Sequence, residues 1–161
     1  MAPEQYERLT YGIALAAGET LARLNPQMCV TYVSGAGTDS TEQGSRGWAR
    51  VKGRTENALL RLPFKAVMFR PNVIQSMHGE VSKTPAYRML YALSQPVFPL
   101  LRRLFPAQFT TTEELGRAMI AVARGKSPLR IVESRDIGRL ANAQASSSSM
   151  AALPPRGGAG P

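Results

Sequence analysis

Along the first part of the chain the apolar positions switch between a helical and an extended period. From Gln5 to Leu24, Tyr6, Leu9, Ile13, Ala16, Ala17, Thr20, Leu21 and Leu24 fall along one side of a helix, which Asn25-Pro26 ends. Met28 to Val33 is a short apolar run with β-branched and aromatic residues, stopping at Ser34-Gly35 as buried strands of parallel sheets do. From Trp48 the helical period returns, with Trp48, Val51, Thr55, Ala58, Leu59 and Leu62 on one face, until Pro63. A second apolar run, Ala66 to Phe69, comes next. Strand, helix and strand make a βαβ unit whose strands, sharing a sheet, are parallel with a right-handed crossover. A ligand is then expected beyond the carboxyl ends of the strands, where Ser34 and Arg70-Pro71-Asn72 stand.

The rest of the pattern is less regular. Val73 to Pro85 reads as irregular, and Pro96, Pro99 and Pro106 divide the apolar stretch after Ala86 into two short helices, Ala86 to Ser94 and Val97 to Leu104. A packed helical cap is the reading of this stretch; a membrane-surface patch of Leu100, Leu101, Arg102, Arg103, Leu104 and Phe105 is its alternative. Thr111 and Glu114 stand three apart as a capping box, before a helix with Leu115, Ala118, Met119 and Val122 on its apolar face and Gly125 at its end. Leu129 to Glu133 reads as a third strand and Asp136 to Leu140 as a last helical turn. From Ala141 onward Ser, Ala, Gly and Pro dominate, so residues 5–140 are expected to form the folded part and 141–161 a disordered tail.

Composition narrows the function classes. The chain has 161 residues, 43% of them hydrophobic, enough for one domain with a real core. A net charge of +9 favours weak attraction to polyanions, but the cations are scattered and no aromatic platform interleaves them, which argues against specific nucleic-acid binding. The lone cysteine, Cys29, lies within an apolar strand and reads as a small hydrophobe. His78 is the only histidine, so a zinc site of the usual Cys/His kind and a histidine-based catalytic pair find little support. Neither a signal peptide nor a run of ~20 apolar residues is present, which makes the cytoplasm the expected location. Gly35-Ala36-Gly37 follows a strand, but Thr38 to Ser45 intervenes with two acids before any helix. A polar loop at the lip of a cleft therefore fits better than a phosphate loop.

Three stretches, taken together, carry a family resemblance: Tyr32-Val33-Ser34-Gly35, then Trp48-Ala49-Arg50-Val51-Lys52-Gly53-Arg54-Thr55-Glu56, then Phe69-Arg70-Pro71. In this order and spacing the chain, over roughly residues 5 to 140, resembles the second half of a short-chain dehydrogenase/reductase. The branch it resembles is the atypical, extended one of NAD-dependent epimerase/dehydratase-like, nucleotide-sugar epimerase-like and Tat-interacting-protein-like oxidoreductases. The resemblance implies an α/β fold, a partial Rossmann-like doubly wound parallel sheet, without the N-terminal dinucleotide-binding half. It implies NAD or NADP as cofactor and a small-molecule substrate.

By position, the resemblance makes Ser34, Trp48 and Lys52 the catalytic set and Ser34, Lys52, Arg70, Pro71 and Asn72 the cofactor-binding set. In the family a tyrosine transfers the proton, a lysine one turn later lowers its pKa and holds the ribose, and a serine bonds the substrate oxygen. Trp48 stands at the tyrosine position, and an indole N–H donates a hydrogen bond but passes on no proton near neutral pH. Tyr32, Tyr87, Tyr91 and Asp39 are the other candidates for the cleft, and their spacing does not select among them. Arg70 is expected to pair with a carboxylate or cap the strand end rather than touch substrate, and Asn72 departs from the small residue the family places after Arg-Pro. The alternative is a non-enzymatic interaction module of the same fold, binding a protein partner or an acidic membrane surface. Without a neighbour from a first half, the Met28 to Val33 strand is expected to offer an open edge for a homodimer or a partner.

Overall fold

The computed structural model describes residues 2–75, 108–125 and 127–151, with side chains described through residue 143. In chain order its elements are α1 (Pro3–Glu7), a π-helical turn (Arg8–Gly12), α2 (Ile13–Leu24), β1 (Cys29–Val33), α3 (Gly47–Arg61) and β2 (Lys65–Arg70). Then come β3 (Val73–Gln75), β4 (Phe109–Thr111), α4 (Thr112–Ala123), β5 (Ile131–Glu133) and α5 (Ser134–Ala151). The two short helices expected within 86–104, with their membrane-surface alternative, lie outside the described residues.

The main sheet has the order β1-β2-β5, and both ladders are parallel, with Cys29 opposite Lys65, Val33 opposite Phe69, and Met68 opposite Ile131. Lying in the middle, β2 buries Ala66, Val67, Met68 and Phe69 completely. Successive side chains of a strand point to opposite faces, so these residues divide between two cores. Ala66 and Met68 join Ala22, Leu59 and Phe64 beneath α2 and α3. Val67 and Phe69 join Leu115, Ala118, Val122, Val132 and Ile137 beneath α4 and α5. The result is a three-stranded parallel sheet with helices on both faces, consistent with a doubly wound α/β fold. Full burial of a Met or Phe side chain is worth about 1.5–3 kcal/mol, so β2 is the strand the domain is built around.

Several elements differ from the sequence pattern, each for a physical reason. In α2 the side that packs is not the apolar stripe but the small residues, with Gly18 and Ala22 buried. A Cβ on Gly18 would sit 2.6 Å from Leu59 Cδ2 and 2.9 Å from Leu62 Cδ1, so glycine is what lets α2 approach α3. The expected stripe is left outward, with Ile13 59% and Leu24 77% exposed. The Arg8–Gly12 turn contributes to this, because a π-helical turn holds an extra residue and rotates the rest of the helix by roughly 100°. On α3 the buried face comprises Ala49, Gly53, Thr55, Glu56 and Leu59, so Trp48 lies at its rim. Val73–Gln75, read as irregular, forms a parallel ladder with Phe109–Thr111. The last helix starts at Ser134 and continues beyond the expected Leu140 to Ala151, and Ala141, the first residue of the expected disordered tail, is buried in the core. The Thr111 capping box is present, with Glu114 N–H donating to the Thr111 hydroxyl at 3.0 Å and Thr111 N–H to the Glu114 carboxylate at 2.9 Å.

Gly53 sets the tightest contact in this half. A Cβ there would lie 1.7 Å from the Asp39 carbonyl oxygen, so the loop after β1 rests directly on the backbone of α3. Gly53→Ala is expected to destabilise the protein by about 3 kcal/mol, as overpacking that must move backbone does. Gly116→Ala, within α4 and facing open space, should instead stabilise by about 0.5–1 kcal/mol. Urea denaturation of the two variants checks both signs.

Candidate functional site at the carboxyl ends of the strands

Ser34 directly follows β1 and continues its ladder, donating its N–H to the Phe69 carbonyl at 2.9 Å. Its side chain turns into the protein, where the hydroxyl donates to the Glu56 carboxylate and lies 3.2 Å from the Phe69 carbonyl oxygen. Glu56 comes from the middle of α3 and is fully buried. Its other partner is Arg70, the last residue of β2: Arg70 Nε donates to Glu56 Oε1 at 3.0 Å, and Nη2 donates to Oε2. The guanidinium also reaches Ser40 Oγ at 2.5 Å and, from Nη1, Glu133 Oε1 at 3.4 Å on β5. One carboxylate and one guanidinium thereby join α3, all three strands of the main sheet and the loop after β1. The bonds to Glu56, ahead of other influences, hold the Arg70 guanidinium above its ordinary range, outweighing its burial.

Lys52 lies one helical turn before Glu56, and its ammonium donates to the carbonyl oxygen of Ser34. Burial pushes its pKa below the ordinary 10.5, and the nearby Glu56 charge opposes part of that shift. Gly35 adopts φ +134° beside it, and a Cβ there would lie 3.5 Å from Lys52 Nζ. Ala36 N–H donates to the Pro71 carbonyl at 2.9 Å, which ties the loop to the chain leaving β2. Gly37, at φ +78°, stacks close to the Trp48 indole.

The loop then folds onto α3 rather than into it. Asp39 accepts from Gly44 N–H at 2.7 Å and Thr41 N–H at 3.0 Å, and these bonds, with that of the Thr41 hydroxyl foremost, hold its carboxyl below the ordinary carboxylate value. Asn57 donates to the Ser40 carbonyl at 3.0 Å and to Glu42 at 2.7 Å, and Arg50 donates to the Gly44 carbonyl at 2.7 Å. Glu42 itself sits at φ +62°, an uncommon backbone conformation for a residue with a side chain. No helix begins until Gly47, so Gly35-Ala36-Gly37 is separated from the α3 N-terminus by this pinned turn.

The residues singled out from the sequence are thus partly assembled. Ser34, Lys52 and Arg70 converge, with Pro71 behind them through its carbonyl. Asn72 turns elsewhere, donating to Gln108 Oε1 at 2.7 Å and, from its backbone, to Ser134 Oγ at 3.5 Å. Trp48 is 40% exposed and lines a separate cleft of about 470 Å³ with Pro3, Tyr6, Glu7, Arg50 and Arg54; Ser34, Lys52 and Arg70 are not part of that lining. Tyr32 packs beside α3 in the Leu59 core, where burial raises its phenol above the ordinary 10.0, with Tyr6 and Glu56 adding and a bond from Thr55 opposing. Asp39 is committed to its loop, and Tyr87, Tyr91 and His78 lie outside the described residues. Among the described residues no cluster of His, Cys, Asp or Glu could hold a metal ion, and no helix is long and apolar enough to cross a membrane.

Glu56 is the site residue that sequence reading passes over. The available signal was its spacing: Trp48, Lys52 and Glu56 recur every four residues, which puts them along one side of α3, and Glu56 falls next to Thr55 and Leu59 of the face expected to pack. No protein-family model and no curated protein sequence matches the chain.

Removing one member of a buried ion pair leaves an uncompensated charge and typically costs about 3–5 kcal/mol. Arg70→Met should therefore lower stability by that amount, and the Glu56→Leu/Arg70→Met double variant by clearly less than the sum of the single changes. Denaturant unfolding of the four proteins in the cycle measures the coupling. For Lys52 the sign is opposite to that of a stabilised charge. With its folded pKa below 10.5, the unfolded chain binds more protons in the window between the two values, so the Lys52 contribution becomes more favourable as pH rises through it. The stability difference between wild type and Lys52→Met, followed by unfolding from neutral pH to about 10, should shift in favour of wild type.

Proposed function

We propose that the chain is an NAD(P)-dependent, epimerase/dehydrogenase-like protein of the short-chain dehydrogenase/reductase type, resembling the carboxyl-terminal part of that fold, which binds ligand beyond the carboxyl ends of β1 and β2. The observation that carries this reading is that Lys52, from α3, meets Ser34 at the carboxyl end of β1, which runs parallel to β2, in the order and spacing of the resemblance. The β1-β2-β5 order supports it, as one side of a doubly wound sheet in which no described strand pairs with the outer edge of β1.

The residues present fit a dinucleotide in one respect and not in another. Lys52 spends one of its three N–H donors on the Ser34 carbonyl, and among the described residues no bond takes the other two, which suits ribose hydroxyls. When bound, a nicotinamide would supply hydride transfer. Trp48 offers no proton to accompany it and faces another cleft, so this reading assigns the chain binding and orientation of ligand, with proton transfer lacking at residue 48. Arg70 acts through Glu56 rather than on ligand.

A second reading, the interaction module of the same fold, is favoured by the edge of β1. That strand pairs with β2 on one side and with no described residue on the other, and Ile13 and Leu24 lie exposed on the neighbouring helix. Under this reading a second copy or a partner chain adds a strand to β1.

Fluorescence titration with NADH and NADPH separates the two. Micromolar binding, weakened about tenfold or more by Lys52→Met, is the expected result. Absence of saturable binding, together with concentration-dependent self-association in light scattering, would favour the interaction module. Because residue 48 faces the other cleft, Trp48→Tyr is expected to add no turnover on a panel of carbonyl compounds and nucleotide sugars, and a gain would show that residue 48 does occupy the proton-transfer position beside Lys52.

A further inference from the structure

A parallel sheet carries its helix-to-strand connections to one end, the amino ends of the strands. Three meet there: residues 25–28 lead α2 into β1, 62–64 lead α3 into β2, and 124–130 lead α4 into β5. None contains an acidic residue. Cations gather instead, with Arg23 and Arg61 in the last turns of α2 and α3, Arg124 at the C-cap of α4, Lys65 opening β2 and Arg130 just before β5. Part of this is ordinary complementarity to the carbonyl ends of helices. Each helix end offsets only about half a charge, so three of them leave most of these five positive charges uncompensated. Among the described residues, none of the five pairs with a carboxylate. The carboxyl ends of the strands differ, for there Glu56 and Glu133 meet Arg70.

A cavity of about 450 Å³ opens among these connections, with Pro26, Gln27, Lys65, Pro128 and Arg130 in its lining, a size that suits a small ligand. The lining holds two cations and no carboxylate, whereas the Trp48 cleft sets Glu7 and Glu42 beside its Arg50 and Arg54. Neutral carbonyls hold both cations in place. Arg130 donates from Nη2 to the Leu60 carbonyl at 2.9 Å and from Nε to the Ala66 carbonyl at 3.4 Å, and Lys65 Nζ donates to the Ser127 carbonyl at 3.4 Å. Their remaining N–H donors take no partner among the described residues, and groups already fixed lose little freedom when a ligand arrives. We propose that this cavity binds a phosphate monoester, with Lys65 and Arg130 together meeting its two negative charges and the prolines lying against its organic part. Phosphate oxygens match the planar guanidinium fork, and a monoanion would leave one cation unmatched. The site lies at the opposite end of the sheet from the cleft proposed above and does not depend on it.

Calorimetry compares phenyl phosphate with benzenesulfonate, a monoanion on the same ring. At about pH 7.5, where the ester carries both charges, wild type should bind phenyl phosphate saturably and about tenfold or more tighter than benzenesulfonate. Lys65→Met and Arg130→Met should each weaken that binding about tenfold or more. Arg139→Met, which removes an exposed cation that pairs with Asp136, should bind as wild type does. Equal affinity for the two ligands, or an equal loss in Arg139→Met, would show attraction to net charge alone and overturn the site. Should Arg130→Met fail to fold, as circular dichroism would show, Lys65→Met decides, since it gives up a single 3.4 Å bond. Vesicles of phosphatidylcholine with phosphatidic acid, whose headgroup is a phosphate monoester, separate the sources. Co-sedimentation that Lys65→Met abolishes, without phenyl phosphate binding, assigns the lipid headgroup; phenyl phosphate binding without co-sedimentation assigns a soluble ester. Binding of neither overturns the proposal.

Discussion

Everything near the strand ends depends on a single buried ion pair, Glu56 with Arg70. Taking a carboxylate out of water is expensive, and the cost is offset here by geometry: two N–H groups of a planar guanidinium meet two carboxylate oxygens, and the serine hydroxyl fills a further lone pair. Such a pair contributes little net stability compared with a well-packed apolar substitute. Its effect is to fix relative positions. With Glu56 on α3 and Arg70 at the end of β2, the helix cannot slide along the sheet without breaking both bonds, and Ser34, Ser40 and Glu133 are drawn to the same point. The loop after β1 rests on Gly53, and the Lys52 ammonium reaches the Ser34 carbonyl.

The layering of the fold was legible because β2 is buried on both faces and reads as a short continuous apolar run flanked by a helical period, as strands inside parallel sheets do. The α4 helix was legible for a different reason, a capping box whose partners are local in sequence. What misled was helix orientation. Counting large apolar residues selects Leu9, Ile13, Leu21 and Leu24 as the packed side of the first helix, yet the protein packs Gly18 and Ala22, because close backbone approach to Leu59 and Leu62 outweighs the size of the side chains. Residue counting also misses a π turn, which shifts the phase of every later position in the helix. The extended conformation of Val73–Gln75 could not be read locally either, since its only described partner is a strand far along the chain.

The site divides along the same line. Ser34 and Lys52 were singled out through the family resemblance, and the fold brings the Lys52 ammonium onto the Ser34 carbonyl. Glu56 was not, because a glutamate in a helix is ordinarily a solvated residue, and nothing near it in sequence announces Arg70 as its partner. Expecting Arg70 to find a carboxylate was sound; which carboxylate required the fold. Trp48 illustrates the reverse case, a residue well placed in the sequence pattern whose side chain looks into another cleft.

The described ladders share a further property, their connectivity. Cys29 pairs with Lys65, Met68 with Ile131 and Val73 with Phe109, so each ladder joins segments dozens of residues apart and none is a hairpin. A chain of this kind must surrender the entropy of large loops before the first sheet hydrogen bond compensates it. Helices need only local contacts, whereas β2, an apolar strand, gains either neighbour only when one of these long loops closes. The interval before β1 and β5 dock is when this protein is most open to association with other chains, and the rate at which that interval closes governs its yield of native molecules as much as the final stability does.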